Sequence, residues 1–358
     1  MLSRALLAGV SGAAVALAGC TAGGGASARP RADTSVSSAS SPGETAAAAA
    51  LAPAITFAFA GDVHFERRTA KLLKTPATAF GPIASVLKSA DFTAVNLETA
   101  VTSRGTPQPK TYHFRTTSTA FTALRDGGVD LVTMANNHVL DYGQVGLADT
   151  LAAAKQARFP YVGIGTNAAA AWAPYVTTIK RTRIAIIGVS QVAELASSWV
   201  ATDTRAGEAN AINLRRTLAA VRAARRRARI VVVFMHWGTE GQACPDANQL
   251  ALAPKLAAAG ATIIVGAHAH VLQGSGWLGH TFVAYGMGNF MWWEHSYSTA
   301  TGVLKLTLHP SRPPTTRFVP AVVSSTGQPI ALTGSAARRA EQHYASLRAC
   351  AQLAARPS

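Results

Sequence analysis

The hydrophobic pattern of the chain alternates short buried runs with alanine-rich helical stretches from Ile55 onward. Runs of four to six β-branched and aromatic residues are typical of buried strands, and the longer segments between them have a helical period. This alternation predicts an α/β domain. The predicted strands are Ile55–Ala60, Phe92–Asn96, Leu131–Met134, Ile184–Gly188, Ile230–Met235, Thr262–Val265 and Phe282–Tyr285. The predicted helices lie near Ala79–Ser89, Thr119–Gly127, Val145–Ala157, Ala209–Ala228 and Gln249–Ala259.

The pattern changes after Tyr285. Two strand-like runs, Gly302–Leu308 and Arg317–Val323, predict that the domain ends in antiparallel strands. A helix is predicted from about Ser335 to Ala354. The folded part therefore ends in strands followed by a helix, without a further α/β repeat.

The N-terminal residues have the pattern of an export signal. Arg4 precedes the apolar run Ala5–Leu17, which is too short to span a membrane. The next residues, L-A-G-C, resemble the bacterial lipobox, which implies lipidation of Cys20; the alternative is an ordinary secretory signal with an incidental cysteine. We predict a lipoprotein signal peptide over residues 1–19, a flexible Ala/Ser/Gly-rich tether over 20–53, a folded domain over 54–325 and a C-terminal helical extension over 326–358. The protein would then be exported and held by lipid on the outer face of the cell membrane.

The charge and the cysteines refine this picture. The chain of 358 residues has a formal net charge of +16, which would suit a polyanionic partner. The densest arginine cluster, Leu214–Arg229, is either the solvated face of a helix or a binding patch. An exported location and the absence of common nucleic-acid-binding signatures argue against a nucleic-acid partner. Cys244 and Cys350 could pair in an oxidising compartment, and the sequence leaves this open.

Polar side chains follow several of the predicted strands. In the stretch Ala261–His270, Gly266 is predicted to turn the chain so that His268 and His270 emerge beyond the strand. Residues i and i+2 of a strand face the same side, so the two rings can be metal ligands or a hydrogen-bonded pair. Because the carboxyl ends of parallel strands form the ligand crevice of α/β sheets, the other strand-end groups can converge on the same place.

The convergent groups form a plausible metal-ligand set. The candidate ligands are Asp62, His64, Glu98, Asn137, His236, His268 and His270. Seven ligands are enough for two ions if one carboxylate binds both of them. The mixed nitrogen and oxygen donors, without a thiolate, suit zinc, manganese or iron. Two such ions can activate water and neutralise an oxyanion, and His138 beside them could protonate a leaving group.

The order of these motifs resembles the calcineurin-like metallophosphoesterase superfamily. The words are G-D-x-H (Gly61–His64), N-L-E (Asn96–Glu98), N-N-H (Asn136–His138), H-W-G (His236–Gly238) and G-A-H-A-H (Gly266–His270). Within it, the chain resembles the CapA family of poly-γ-glutamate capsule proteins. The additional words for CapA are A-N-N-H-V-L-D-Y-G (Ala135–Gly143), H-W-G-T-E (His236–Glu240) and Y-G-M-G-N-F (Tyr285–Phe290), so that the resemblance runs from about Phe57 to Phe290.

The resemblance implies a fold and a role for each matching residue. The fold would be a four-layer α/β/β/α metallophosphatase-like sandwich. One ion would be held by Asp62, His64 and His270, and the other by Asn137, His236 and His268. Glu98 would bridge the two ions and His138 would be the catalytic acid. The superfamily usually has a G-D-x-x-D word where this chain has N-L-E, so Glu98 replaces the expected bridging aspartate.

Four further residues are weaker candidates with open alternatives. Lys110 and Arg115, in P-K-T-Y-H-F-R, resemble a family word and could bind a carboxylate or phosphate, or could belong to an exposed basic loop. Asp141 could orient His138 or could cap a helix. Glu240 could lie near the site or on its rim.

Three functions are compatible with these residues. The first is a lipid-anchored CapA-like protein with a dinuclear metal site, acting in synthesis, export or anchoring of an anionic capsule polymer, with other capsule-synthesis proteins as candidate partners. The second is a general metal-dependent phosphodiesterase or nucleotidase that acts on small molecules. The third is a non-catalytic module that binds polymer in the crevice.

Overall fold

The computed structural model describes residues 53–293 and 296–358 and folds them around two β-sheets. The strands are β1 Ile55–Val63, β2 Phe92–Leu97, β3 Ala100–Val101, β4 Arg115–Thr116, β5 Leu131–Thr133, β6 Tyr161–Val162, β7 Ile164–Gly165, β8 Tyr175–Ile179, β9 Thr182–Ser190, β10 Gly207–Glu208, β11 Ile230–Trp237, β12 Ile263–His268, β13 Ser275–Leu278, β14 Thr281–Ala284, β15 Asn289–Met291, β16 Ala300–Leu308, β17 Thr315–Val323 and β18 Pro329–Ala331. The helices are α1 Ala84–Lys88, α2 Thr119–Gly127, α3 Gly143–Ala157, α4 Ala168–Ala171, α5 Ala196–Trp199, α6 Leu214–Arg227, α7 Ala247–Ala258 and α8 Gly334–Ser346. The predicted signal peptide, the lipidation site Cys20 and all but the last residue of the predicted tether lie outside the described residues.

Both sheets have a run of parallel strands, which is flanked by antiparallel strands on one side in the first sheet and on both sides in the second. The first sheet has the strand order β18-β17-β16-β1-β2-β5-β6, and β15 also pairs with β1. The second has the order β13-β14-β12-β11-β9-β8. In the first sheet β1, β2, β5 and β6 run parallel, and in the second β9, β11, β12 and β14 do. The carboxyl ends of β1, β2 and β5 therefore share one edge, as do those of β9, β11 and β12.

The two sheets pack face to face, with helices on their outer sides. Phe57 and Phe59 of β1 lie in the cluster between the sheets, where the ring of Phe59 is 6.5 Å from that of Phe234 on β11. The alternate residues Ala58 and Ala60 of β1 face the other way. The cluster on that side joins the first sheet to α1, α2 and α3, and a third cluster joins the second sheet to α6 and α7. These layers confirm the predicted four-layer α/β/β/α sandwich.

Three predicted helices are shorter than their sequence patterns indicate. The helix near Ala79–Ser89 is regular only over α1, because residues 81–83 form a 3-10 turn that contains Pro82, which has no N–H to donate. The helix predicted from Ala209 begins at Leu214. Before it, Gly207–Glu208 form β10, and the side chain of Asn213 caps α6 by accepting the N–H of Arg216 at 3.1 Å.

The C-terminal helix ends at Ser346, earlier than predicted, and the residues after it return to the second sheet. Ala354 and Trp277 exchange backbone hydrogen bonds of 2.8 and 2.9 Å. A disulfide joins Cys244 to Cys350, with 5.6 Å between their Cα atoms, which answers the question that the sequence left open. Residues 326–358 are thus part of the same compact unit as the predicted 54–325 domain. Among the described residues, no helix has the length and apolar character needed to cross a membrane.

Candidate metal centre

The predicted ligands meet at the carboxyl ends of the parallel strands of both sheets. Asp62 lies in β1, His236 in β11, and His268 is the last residue of β12. Glu98 follows β2 by one residue, and the segment Asn136–His138 follows β5. All seven predicted ligands are buried. The side chains of Asp62, Glu98 and His236 are fully buried, so that bulk solvent does not contact their polar atoms.

Two groups of three donors form at this edge, and they share one carboxylate. One group is Glu98, His268 and His270, and the other is Asp62, Glu98 and His236. In each group the ligand atoms lie within 4.8 Å of one another. Glu98 belongs to both, which is the arrangement expected of a residue between two ions. The resemblance assigns His268 and His270 to different ions, whereas here both rings lie in one group with Glu98.

The backbone that presents the two histidines is unusual. His268 has a φ of 88° and His270 a φ of 56°, in the left-handed region that residues with side chains rarely adopt. The prediction that Gly266 turns the chain was wrong, because Gly266 lies inside β12. A Cβ atom there would come within 1.8 Å of the carbonyl oxygen of Tyr285. The glycine therefore permits a close approach of two backbones, and the turn is made by the histidines themselves.

Burial keeps two of the imidazoles in the form that binds metals. It lowers the pKa of His236 well below the usual value, with the charge of His268 adding to the effect. It also lowers the pKa of His268 to about 3. For His270, burial lowers the pKa, but the hydrogen bond and charge of Asp62, together with Glu240 and Asn289, raise it above the usual value. Neutral imidazole is the ligand form, so His236 and His268 are ready to coordinate.

The donor set fits a bound cation. Glu98 Oε1 and His268 Nδ1 are both buried, and neither has a hydrogen-bond partner among the described residues. Burial raises the pKa of Glu98 well above its usual value, and the neighbouring charge of Asp62 raises it further. Buried polar atoms without partners are rare because leaving them so is unfavourable. A divalent cation would satisfy both atoms and would stabilise the ionised form of Glu98.

Asn96 is a central residue of the site that sequence analysis did not single out. Its amide nitrogen donates to Asp62 Oδ1 at 2.8 Å and to Glu98 Oε2 at 3.2 Å. The same nitrogen lies 3.2 Å from His236 Nδ1, and its oxygen accepts from Asn136 at 3.1 Å. Asn96 and Glu98 are two residues apart and so face one side of the extended chain, a signal that could have identified it.

His64 and Asn137 differ in how they join this group. Asn137 Oδ1 is 2.8 Å from His236 Nε2, so Asn137 adjoins the second group of donors. His64 belongs to neither group. Its ring lies between Trp292 and Phe114, with centroid distances of 4.1 and 4.8 Å, and its Nδ1 is 3.2 Å from the backbone nitrogen of Glu66. The structure therefore brings six of the seven predicted ligands together and sets His64 apart among aromatic rings.

His138 is held by a buried charged network beside Glu98. Asp141 Oδ2 lies 2.7 Å from His138 Nδ1, and His138 Nε2 lies 3.8 Å from Glu98 Oε1. Asp141 also accepts the backbone N–H of Phe114 at 2.6 Å, and it does not cap α3. Of the two roles open to Asp141, the structure therefore favours orienting His138. Burial lowers the pKa of His138 and raises that of Asp141 to about 7.

Lys110 lies in this network and not at the surface. Its ammonium is 3.0 Å from Asp141 Oδ1 and 3.1 Å from Glu194 Oε2, and only 2% of its side chain is exposed. Lys110 also donates to the carbonyl oxygen of Asn137. The prediction that Lys110 binds substrate directly is not supported by this position, because its charge is already satisfied. The sequence offered no motif that could have identified Glu194.

A cavity of about 290 Å³ opens onto the site. His138 and His270 reach it from the metal-binding side, and Glu240 lines it from the loop after β11. Glu240 accepts a 2.7 Å hydrogen bond from the hydroxyl of Tyr297. The remaining walls are mainly aromatic: Tyr112, Phe114, Trp292, Trp293 and Tyr297. Glu240 therefore lies near the site, which is one of the two positions that the sequence left open.

Two arginines flank the cavity from outside. The guanidinium of Arg67 lies 4.3 Å from the ring centroid of Trp293, which is a cavity wall. Arg115 is exposed and its guanidinium lies 4.8 Å from the ring of Tyr142. Arg115 does not line the cavity itself, so the predicted role in substrate binding would be exerted from the exterior.

Comparison with known proteins gives a consistent result. A family model described as "Bacterial capsule synthesis protein PGA_cap" matches residues 56–292, which include every predicted metal ligand. The capsule biosynthesis protein CapA of Bacillus anthracis is 29% identical over 246 residues, covering 66% of this chain and 59% of that protein. The PGA biosynthesis protein CapA of Bacillus subtilis (strain 168) is 29% identical over 242 residues, covering 66% of this chain and 63% of that protein. The chain thus spans less than two thirds of the length of these curated relatives.

Among solved structures, similarity extends to a protein described as a novel phosphatase from Mycoplasma pneumoniae. The identity is 16% and the TM-score is 0.47, and the match covers 75% of this chain and 94% of that chain. Likeness at this distance carries no information about activity.

Proposed function

The chain belongs to the PGA_cap family of bacterial capsule synthesis proteins, and from this membership we propose that it acts in the synthesis, export or anchoring of an anionic capsule polymer of the poly-γ-glutamate type. We propose further that it does so as a metal-dependent hydrolase or transferase with two divalent ions. Zinc, manganese and iron match the mixed nitrogen and oxygen donors.

One observation carries the enzymatic part of the proposal. Glu98 is shared by both donor groups, and the cavity of about 290 Å³ reaches them through His138 and His270. A purely structural metal site would be closed, whereas these side chains meet a space that a substrate can enter. When bound, divalent ions at this position supply Lewis-acid polarisation and a more acidic water.

The residues around the cavity would position the polymer. The aromatic walls exclude water from the reacting bond and offer flat surfaces to an extended amide chain. Arg67 and Arg115, outside the walls, can each bind a carboxylate of the polymer in bidentate fashion. Glu240 would repel a carboxylate that entered the cavity and so would favour entry of the uncharged linkage.

His138 would first accept a proton and then donate it. In the free protein burial and the charge of Lys110 hold its imidazole neutral, so that Nε2, on the side of Glu98, is suited to accept a proton. Asp141, with its pKa at about 7, can share the separate proton on Nδ1 once Nε2 has become protonated. His138 then returns the proton to the departing group, the role in which the sequence placed it.

The location of the protein is also part of the proposal. The signal-like residues before Cys20 and the names of the relatives support an exported protein held to the membrane by lipid on Cys20. Such a protein would meet the polymer outside the cytoplasm, beside other capsule-synthesis proteins. Mass spectrometry of the purified membrane form tests this directly, since an unmodified Cys20 or retained residues 1–19 would contradict it.

Metal analysis tests the dinuclear site. The full chain, reconstituted with zinc, manganese or iron, should bind two ions per molecule. Glu98→Ala should weaken both sites, because Glu98 belongs to both groups, and His236→Ala should weaken one. His343→Ala, an exposed histidine on α8, is the matched control and should bind as the wild type does. A fully folded wild-type chain with no bound ion would overturn the proposal.

Activity measurements separate the possible functions. Cleavage or transfer of poly-γ-glutamate that is lost in His138→Ala supports the proposed enzyme. Faster turnover of simple aryl phosphodiesters than of polymer would favour a general phosphodiesterase or nucleotidase. Polymer binding and capsule formation that survive His138→Ala would favour a non-catalytic polymer-binding module.

A further inference from the structure

The end of the domain opposite the metal centre carries a dense group of arginines. We name it the basal arginine face and define it as Arg183, Arg225, Arg226, Arg227 and Arg229. Arg183 lies at the start of β9, and the others occupy the last turn of α6 and the residues before β11. Since β9 and β11 run parallel towards the metal centre, their starts lie at the far end of the sheet. A nine-residue strand such as β1 separates the two ends by about 30 Å.

The arginines of this face are exposed and largely without counter-charges. Each of the five is exposed, and α6 contains no acidic residue. Among the described residues, no ion pair joins Arg226, Arg227 or Arg229 to a carboxylate. Arg225 donates to the carbonyl oxygen of Arg229 instead. Arg222 and Arg226 are four residues apart on one helix, a spacing at which like charges destabilise a helix. An anionic partner would relieve this repulsion.

The folded domain begins beside this face. Lys180, at the turn between β8 and β9, donates to the carbonyl oxygen of Ala54 at 3.1 Å. Pro53 and Arg229 line the same cavity of about 210 Å³. Cys20 precedes Ala54 by only 34 residues in the sequence. A membrane anchor at Cys20 would therefore be joined to this end of the domain, and not to the end that holds the metal centre.

We propose that the basal arginine face binds the anionic phospholipid headgroups of the membrane and so holds the metal centre facing away from it. Guanidinium groups bind phosphate in bidentate fashion, and clustered basic residues near a membrane are attracted to anionic lipid. The described chain begins beside this face, so an anchor at Cys20 would keep lipid headgroups within its reach, and lipid is therefore the better partner. The inference rests on the proposed anchoring at Cys20, but its test does not depend on the metal centre or on activity.

Vesicle flotation with the full-length chain tests the proposal. The probes are phosphatidylcholine vesicles with and without about one third phosphatidylglycerol, so that any contribution of the N-terminal apolar residues appears in both. Arg226→Gln combined with Arg227→Gln should weaken the phosphatidylglycerol-dependent binding about 25-fold, taking roughly fivefold for each basic residue near an anionic surface. The matched control is Arg338→Gln with Arg339→Gln, an exposed pair on α8 that changes the net charge equally.

Each outcome decides the question. Loss of binding in the α6 pair, retention in the α8 pair and retention in a charge-preserving Arg226→Lys, Arg227→Lys chain support the proposal. Equal loss in the α6 and α8 pairs would show that only net charge matters and would overturn it. Binding that is the same with and without phosphatidylglycerol would also overturn it, as would tight binding of soluble poly-γ-glutamate to this face with no binding of anionic vesicles.

Discussion

Asp141 Oδ2 lies 2.7 Å from His138 Nδ1, and this contact determines which nitrogen of His138 faces Glu98. The imidazole is held at Nδ1 by Asp141, so Nε2 is the atom left on the side of Glu98 and the cavity. The same carboxyl group accepts the backbone N–H of Phe114, which fixes its own orientation.

We predict that Asp141→Asn impairs His138 without removing metal. The amide cannot take up the proton that the carboxyl group shares with Nδ1, so kcat should fall about 10- to 100-fold while KM stays close to that of the wild type. Long-range ¹H–¹⁵N NMR of His138 should show a changed tautomer population. A rise in KM alone, with kcat and the NMR signature unchanged, would contradict the orienting role.

We predict that Asn96→Ala weakens metal binding more than it weakens the fold. Asn96 donates to Asp62 and Glu98, and without it both carboxylates lose a hydrogen bond that sets their orientation. The affinity for the metal should fall about 10- to 100-fold, measured by competition with a chelator. Asn167→Ala, which removes an amide that caps α4 away from the site, is a control that should leave metal affinity unchanged. Equal metal affinity in the two variants would exclude this role.

We predict that Lys110→Met destabilises the protein strongly at neutral pH. Its ammonium is the buried counter-charge of Asp141, and removing one partner of a buried pair typically costs about 3–5 kcal/mol. Lys110 also lowers the pKa of Asp141, so its loss should raise that pKa further and part of the stability should return in acid. Urea unfolding at neutral and acidic pH measures both effects. Exposed Lys155→Met is the control, with an expected change below about 0.5 kcal/mol.

We predict a pH-dependent stability that originates at Glu208. Burial raises the pKa of Glu208 to about 8, from an ordinary value of 4.5. Between these two values the folded chain keeps a proton that the unfolded chain releases, so stability falls as the pH rises through that window, by up to about 1.4 kcal/mol per pH unit. Above the folded pKa this contribution no longer changes. Denaturation of wild type and Glu208→Gln across the window should show a smaller decline in the variant, whose amide oxygen can still accept from Asn210; parallel curves would refute the assignment.

The strands and most of the metal-binding residues could be predicted from the sequence because both depend on local pattern. β-Branched runs mark the strands, and the shared direction of parallel strands places Asp62 at the carboxyl ends of the first sheet and His236 and His268 at those of the second. Glu98, which follows β2, belongs to both donor groups because β2 runs parallel to β1. The helix of the last α/β unit also appeared where predicted, since Asp246 and Gln249 form a capping box at its start.

The parts that the sequence did not reveal depend on contacts between distant residues. Glu194 reaches Lys110 and Asn137 from a loop without a motif. His64 was predicted to be a metal ligand because it is the last residue of the G-D-x-H motif. Its ring packs against Trp292, which is 228 positions away in the chain. Gly266 was interpreted as a turn because local rules associate glycine with turns. Gly266 in fact leaves room for the backbone of Tyr285, which lies outside β12, to approach closely.

The left-handed backbone at His268 and His270 places stability and function in opposition. Each such residue typically stores about 1–3 kcal/mol of strain that glycine would release. An engineer seeking a more heat-resistant protein would therefore choose these two positions for glycine, and would remove two of the imidazoles on which the site depends. The surrounding sheets must hold this strained loop in place, so mutations that loosen the packing of β12 should impair the site before they unfold the domain.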